Sequence, residues 1–259
     1  MSKLSVVLSD KHKKQSGSSK SNFMSRMATR KIIKKIEMEK DMLLGDLCVT
    51  ATNDGHIVDL NNNYTLDICR AKVGITTTKK HSTGSIEFNG LDSNINVKDA
   101  DNVTLGIEDF SLDWWEYPKT LPKPNIHYIP ELQYVMFKNS MDRKHPIIFQ
   151  NEGITKRLFL SSDGDHWDIS DGKYVGNADK DEWSHWALIR CNNNFYTFRN
   201  GKIMNIWKSD KVINNSDEYL TLGSGPRGGY FYGHMNKIRF TKGQALWTEE
   251  FNIEEDLFY

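Results

Sequence analysis

Cysteine is scarce in this 259-residue chain: Cys48, Cys69 and Cys191 are odd in number, far apart, and form no CxxC pair. A disulfide framework or a cysteine-built zinc site is therefore excluded, and a reducing assembly compartment fits best. No apolar run approaches the roughly 20 residues that span a bilayer. Leu4 to Leu8 is too short for a secretory leader core and is followed by charge, so synthesis in the cytoplasm without a signal peptide is expected, with no membrane partner. The eight histidines show no H-E-x-x-H spacing, and no G-x-S-x-G nucleophile turn exists. Gly223, Gly225, Gly228 and Gly229 lack the Lys-Ser/Thr of a phosphate loop and read as a loop that needs tight turns.

Net charge is also missing, with 34 basic and 34 acidic residues, but the balance is local rather than uniform. Residues 1–36 hold ten Lys/Arg against Asp10 alone, so the rest of the chain carries an excess of nine acids. This is a basic arm on an acidic globule. Residues 9–22 have almost no apolar content and predict disorder in the free chain. Residues 23–44 predict a helix, with apolar side chains at three- and four-residue spacing and no Pro or Gly before Gly45. Its basic start and acidic end oppose the helix dipole, so it needs a partner surface. The arm, residues 1–45, carries Lys11, Lys13, Lys14, Lys20, Arg26, Arg30, Lys31, Lys34 and Lys35 as candidate anchoring residues. Docking on an acidic protein surface is the preferred reading, against a solvated tail or nucleic-acid binding. Scarce aromatics in the arm weaken the nucleic-acid case.

From about residue 46 the pattern becomes short strands separated by turns. Strands are predicted at 56–60, 65–70, 85–88, 94–98, 133–138, 146–150, 157–161, 166–170, 183–191, 195–199 and 202–208. Turns fall at Asn61–Asn63, Asn192–Asn194 and Asn200-Gly201. Between Trp183 and Cys191 neither alternating face is uniformly polar, which predicts a strand covered on both sides. Pro118, Pro122, Pro124 and Pro130 mark a long connection. So many short strands indicate an all-β, two-sheet antiparallel sandwich of jelly-roll type over residues 46–259.

The order of pieces in the second half is specific. Trp183, His185, Ala187, Leu188 and Arg190 form W-x-H-x-A-L-x-R, and F-Y-x-F-x-N-G, YLTLGS, G-Y-F-x-G and KIRFTKGQALWTEEF follow. GSIEFNG and EDFSLDWW stand where the same pattern opens earlier in the chain. Together these resemble the laminin-G-like, concanavalin A-like jelly-roll family, in the version found as modules of bacteriophage virion and other surface proteins. The resemblance implies a non-catalytic virion structural protein of capsid, neck or tail. Its arm would attach it to other virion proteins or to copies of itself. The alternative is a carbohydrate-binding adhesin that recognises host surface glycans. One departure is plain: Tyr232 and Asn236 stand where relatives carry acids in G-Y-F-D-G-x-[IV]-D.

Candidate chemistry is sparse. Glycosidases of this fold need paired carboxyls on one strand face, whereas Asp113 and Glu116 fall on opposite faces. No catalytic residue is assigned. Asp163, Asp165, Asp168 and Asp171 crowd one stretch, where oxygen ligands could hold calcium, but solvated hairpin loops are the preferred reading. No other cofactor is implied. Trp167, Tyr174, Arg227, Tyr230 and Tyr232 are candidates for stacking on sugar faces. His185 reads as a packed, hydrogen-bonded core histidine.

Overall fold

A computed structural model describes residues 46–74, 84–98, 103, 105–121, 132–138, 145–216, 219–225 and 228–253. The arm and helix expected over residues 1–45, the prolines 122, 124 and 130, and Arg227 lie outside them. The described residues hold sixteen strands and no helix, in two antiparallel sheets.

The first sheet has nine strands. Its main path runs β14 (Lys202–Lys208), β13 (Asn194–Arg199), β12 (Ser184–Cys191), β7 (Phe110–Pro118), β16 (Tyr232–Lys242), β1 (Leu47–Ala51) and β2 (Ile57–Asp59). β5 (Ser85–Asn89) also pairs with β16, and β4 (Lys72–Gly74) pairs with β5. β16 is long enough to hold β7 along one edge while β5 and then β1 share the other. The second sheet runs β11 (Ser170–Asn177), β10 (Thr155–Leu160), β9 (Ile147–Glu152), β8 (Leu132–Lys138), β15 (Leu220–Leu222), β6 (Asn94–Lys98) and β3 (Thr65–Cys69). This is the jelly-roll sandwich that the spacing of turns predicts.

The turn chemistry acts as expected. Asn200 and Gly201 have φ of 49° and 75°, so both central residues of that hairpin are left-handed, as a two-residue turn of this hand requires. A side chain at Gly201 would also strike the Phe251 carbonyl. Asn192 and Asn193 do the same between β12 and β13, leaving Asn194 to pair with Cys191. Two expectations fail. Residues 166–170 are loop until Ser170, because the amides of Asp165 and His166 bond to Asp163 Oδ1 and that of Ser162 to Asp168 Oδ1. Such side chains offer the backbone an alternative to the ladder. Pro118 closes β7 rather than opening a loop, its carbonyl taking the Asp181 amide.

Alternation along β7 and β12 serves two cores. Leu112 and Trp114 join Leu188, Ile238 and Phe240 between the sheets, where Trp114 meets Phe149 edge-on at 4.8 Å. The other face of β12 and β13, with Ala187, Ile189 and Phe198, is roofed by Ala245, Trp247 and Phe251. Trp247 and Phe251 stack at 4.2 Å. Ser111 Oγ donates to the Gln244 carbonyl and accepts from the Leu246 amide, and the Phe251 amide donates to the Gly201 carbonyl. That roof is why neither face of residues 183–191 is polar.

One ion pair crosses the dry interior. Lys156 of β10 and Glu116 of β7 are both fully buried, with the ammonium 2.9 Å from the carboxylate. Trp114 Nε1 donates to Glu116 at 2.8 Å, Lys156 also donates to Asn151 Oδ1 at 2.8 Å, and the Trp186 ring lies 4.9 Å from the ammonium. Burial pushes the Lys156 pKa down while Glu116 opposes it. Removing one partner strands the other charge, so Lys156→Ala is expected to cost about 3–5 kcal/mol. Lys156→Met combined with Glu116→Gln should recover most of that loss. Urea unfolding of the two variants measures both.

Candidate functional site

The four described residues named from the sequence for sugar contact, Trp167, Tyr174, Tyr230 and Tyr232, are divided between the two sheets. Trp167 packs on Phe159 at 5.2 Å on the outer side of the seven-stranded sheet, within a cluster that includes Leu132, Phe137 and Ile148. Tyr174 is on β11 opposite Arg157 and is exposed. Tyr230 lies in the glycine-rich crossing between β15 and β16, bridged to Tyr134. That crossing needs its glycines: a side chain at Gly225 would enter the Tyr134 ring, and one at Gly229 the Leu132 carbonyl. Tyr232 belongs to the other sheet, at the start of β16. The sequence could not show this split, because the crossing places neighbours in the chain on different sheets.

Two of the four aspartates, Asp163 and Asp168, are engaged by hydrogen bonds from the loop that carries them. Asp163 takes the Asp165 and His166 amides and His166 Nδ1, and these bonds hold its carboxyl well below the usual range. Burial raises the Asp168 pKa, but Lys211 and Ser162 together outweigh it and hold the carboxyl at about 2. Asp171 is exposed on β11. Among the described residues no group of three His, Cys, Asp or Glu side chains is placed to hold a metal ion.

Asp113 and Glu116 do face opposite ways, and both are consumed by ion pairs. Arg239 grips Asp113 through Nε at 2.8 Å and Nη2 at 3.1 Å, and His185 Nε2 lies 3.1 Å from the same carboxylate. Burial opposes the charge on Asp113, yet Arg239 and His185 hold its pKa below the ordinary value, while burial pushes His185 down. The Trp247 and Phe251 rings close over His185 at 5.9 Å each. A histidine–carboxylate pair sealed in this way reaches no substrate. It is the packed core histidine expected from the sequence.

The outer face of the nine-stranded sheet, at the end where β5, β16 and β7 meet, gathers a different set of groups. Ile86, Phe88 and Met235 turn inward and are fully buried, so alternation sends Glu87, Asn89, Tyr232 and His234 outward. A row of side chains crosses the strands through Lys72, Glu87, His234 and Tyr117. The Tyr117 ring is 5.5 Å from that of Trp183 and 5.9 Å from that of His234. Lys119 bonds Glu87 at 2.7 Å, and its ammonium stands 5.5 Å from the Tyr232 ring. Tyr117, Trp183 and Tyr232 are all half-buried. The result is a row of groups along one sheet face. The partly open Trp183 and Tyr117 rings stand at one end and Tyr232 beside the Glu87–Lys119 pair at the other, with Ser85 Oγ locating the intervening His234 Nδ1 at 3.1 Å. Of these residues the sequence reading singled out only Tyr232 for sugar contact. The signal it missed was the parity of β5 and β16 read together.

Neither a family model nor a curated protein matches the sequence. Solved structures do match in fold. The binding domain of Paraclostridial Mosquitocidal Protein 1 is 14% identical with a TM-score of 0.58, the match covering 82% of this chain and 50% of that one. The botulinum neurotoxin serotype G binding domain is 13% identical with a TM-score of 0.58 and the same two coverages. A structure concerning botulinum neurotoxin type C, whose cell entry depends on interaction with two ganglioside molecules, is 12% identical with a TM-score of 0.61 over 82% and 51%. This chain therefore spans about half the length of the domains it matches, and at these identities the likeness establishes the β-sandwich alone.

Burial, with Lys119 adding and Glu87 opposing, pushes His234 down to about 4. The folded pKa lies below the unfolded value of about 6.5, so between those limits the unfolded chain binds more protons and stability falls as pH drops. His234→Gln is expected to flatten that decline. His185, shifted the same way, should leave a residual slope. Denaturant unfolding at a series of pH values from 7 to 4 reads the difference.

Proposed function

We propose that the sandwich is a non-catalytic recognition module that binds glycans on the outer face of its nine-stranded sheet. The observation that carries this reading is the platform that runs along one sheet face from Trp183 and Tyr117 to Tyr232 and the Glu87–Lys119 pair. Sugar rings have apolar faces that rest on aromatic rings and hydroxyls that both donate and accept. Half-buried rings beside a fixed carboxylate and ammonium answer both needs, and residues held by their own hydrogen bonds lose little entropy on binding. The fold neighbours named above are binding domains, and the type C toxin interacts with gangliosides. The absence of a catalytic role is supported by the geometry of Asp113 and Glu116, each buried and paired.

The virion reading rests on resemblance and on the arm. Residues 1–45 are outside the described set, and none of the neighbours named above is a virion protein. Glycan recognition by the sandwich is compatible with display on a particle.

A glycan array followed by calorimetry on the best ligand tests the proposal. Trp183→Ala and Tyr117→Ala should each weaken binding at least tenfold, ~1.4 kcal/mol, with an unfolding midpoint confirming the fold. Trp167→Ala should leave affinity unchanged. Loss on Trp167→Ala with retention in the other two would move the site to the seven-stranded sheet.

A further inference from the structure

The chain passes from the nine-stranded to the seven-stranded sheet between β2 and β3, and one carboxylate organises the crossing. Asp59 is buried, and its Oδ1 accepts the amides of Cys48 at 2.9 Å and Asn61 at 3.3 Å. Its Oδ2 accepts those of Asn63 at 2.9 Å and Tyr64 at 3.2 Å. Charge-assisted bonds of this kind are strong, and four on one side chain fix the path of residues 60–64. Tyr64 packs its ring against the main core. Asn63 Nδ2 donates to the Asp46 carbonyl at 2.9 Å, and Asp46 Oδ2 accepts the Lys242 amide at 2.6 Å. Asp46, Asn63, Tyr64 and Lys242 line a pocket of about 430 Å³, within the range of small-molecule sites.

Its chemistry narrows the occupant. The Asp46 carboxylate only accepts hydrogen bonds, the Lys242 ammonium only donates and is already paired with the Glu108 carboxylate at 3.3 Å, and the Asn63 amide and Tyr64 phenol do both. A phosphate or carboxylate would meet Asp46, and a cation would meet Lys242. A neutral molecule with several hydroxyls offends neither. Burial, and then Asp46 and Asp59, push the Tyr64 phenol up to about 12, so it remains a donor at neutral pH.

We infer that this pocket is a second saccharide site, taking one neutral sugar unit at the rim where the chain crosses between sheets. The inference borrows its ligand class from the proposed function but stands on different residues. Tyr232 and Lys242 are the two ends of β16, ten residues apart, so the platform and the pocket are separated by roughly 30 Å of strand. One sugar unit cannot fill both.

The test is a titration of the full, nitrogen-15-labelled chain with methyl glycosides of glucose, galactose, mannose and N-acetylglucosamine, followed by amide shifts. At least one probe is expected to give saturable shifts at Asp46, Asn63, Tyr64 and Lys242. These should persist in Trp183→Ala and weaken fivefold or more in Tyr64→Phe, which keeps the packed ring and removes only the hydroxyl. Asn63→Ala should act in the same direction. No saturable shift with any probe would overturn the inference, as would shifts confined to the platform and lost in Trp183→Ala, or full affinity in Tyr64→Phe. Saturable shifts of the same amides with inorganic phosphate would instead assign an anion site and also overturn it. Persistence in Trp183→Ala separates failure of the platform from failure of the pocket.

Discussion

From Phe110 to Glu116 both faces of β7 are buried, and much of the molecule follows from that constraint. A strand with one wet face can leave its polar side chains in water. Here Asp113 and Glu116 alternate into two separate interiors, and each must find compensation there. Glu116 finds it in a lysine from the opposite sheet, which ties the two layers together at a defined register. Asp113 finds it in Arg239 on the adjacent strand and in His185 on the other neighbour. Neither arrangement adds much net stability over well-packed apolar side chains. What each does is penalise any packing in which its partner is misplaced. The roof of Trp247 and Phe251 belongs to the same logic, because without it the second interior would not exist.

The sandwich was legible in the sequence because its signals are local. Asn-Gly and Asn-Asn turns need left-handed backbone, and Asn200, Gly201, Asn192 and Asn193 adopt it. The alternation in Trp183–Cys191 announced two covered faces without saying what covered the second. The aspartate-rich stretch misled, since its apolar alternation suggests a strand while Asp163 and Asp168 recruit the amides that a strand would need. The platform was mostly hidden for a different reason. Glu87, Tyr117, Lys119 and Trp183 come from three stretches of sequence, and only the pairing of β5 with β16 and of β16 with β7 makes them neighbours. Their spacing along the chain carries no trace of that pairing. The same is true of Asp46 and Lys242, nearly 200 residues apart in sequence and joined by the Lys242 amide donating to the Asp46 carboxylate.

The two candidate sites differ in how they are built. The platform stands on the ends of regular strands, with Tyr117 on β7, Tyr232 on β16 and Trp183 one residue before β12, so its rings inherit much of the rigidity of the sheet. The pocket stands on a crossover, which would be pliable without Asp59. Placing an acceptor-rich side chain beneath a loop converts irregular backbone into something as fixed as a ladder. In both cases recognition would use groups whose positions are set before any ligand arrives.

The place of β16 in the sheet bears on how the protein is made. It follows the other fifteen described strands in the chain, yet it sits in the middle of its sheet, where β7, β5 and β1 all need it. During vectorial synthesis those three strands must wait with bare edges until β16 emerges from the ribosome. Unpaired edges recruit other chains, and contacts so distant in sequence close slowly. The nascent chain thus passes through an interval in which its most apolar strands lack their common partner. Chaperone dependence and sensitivity to expression rate are natural outcomes of that topology.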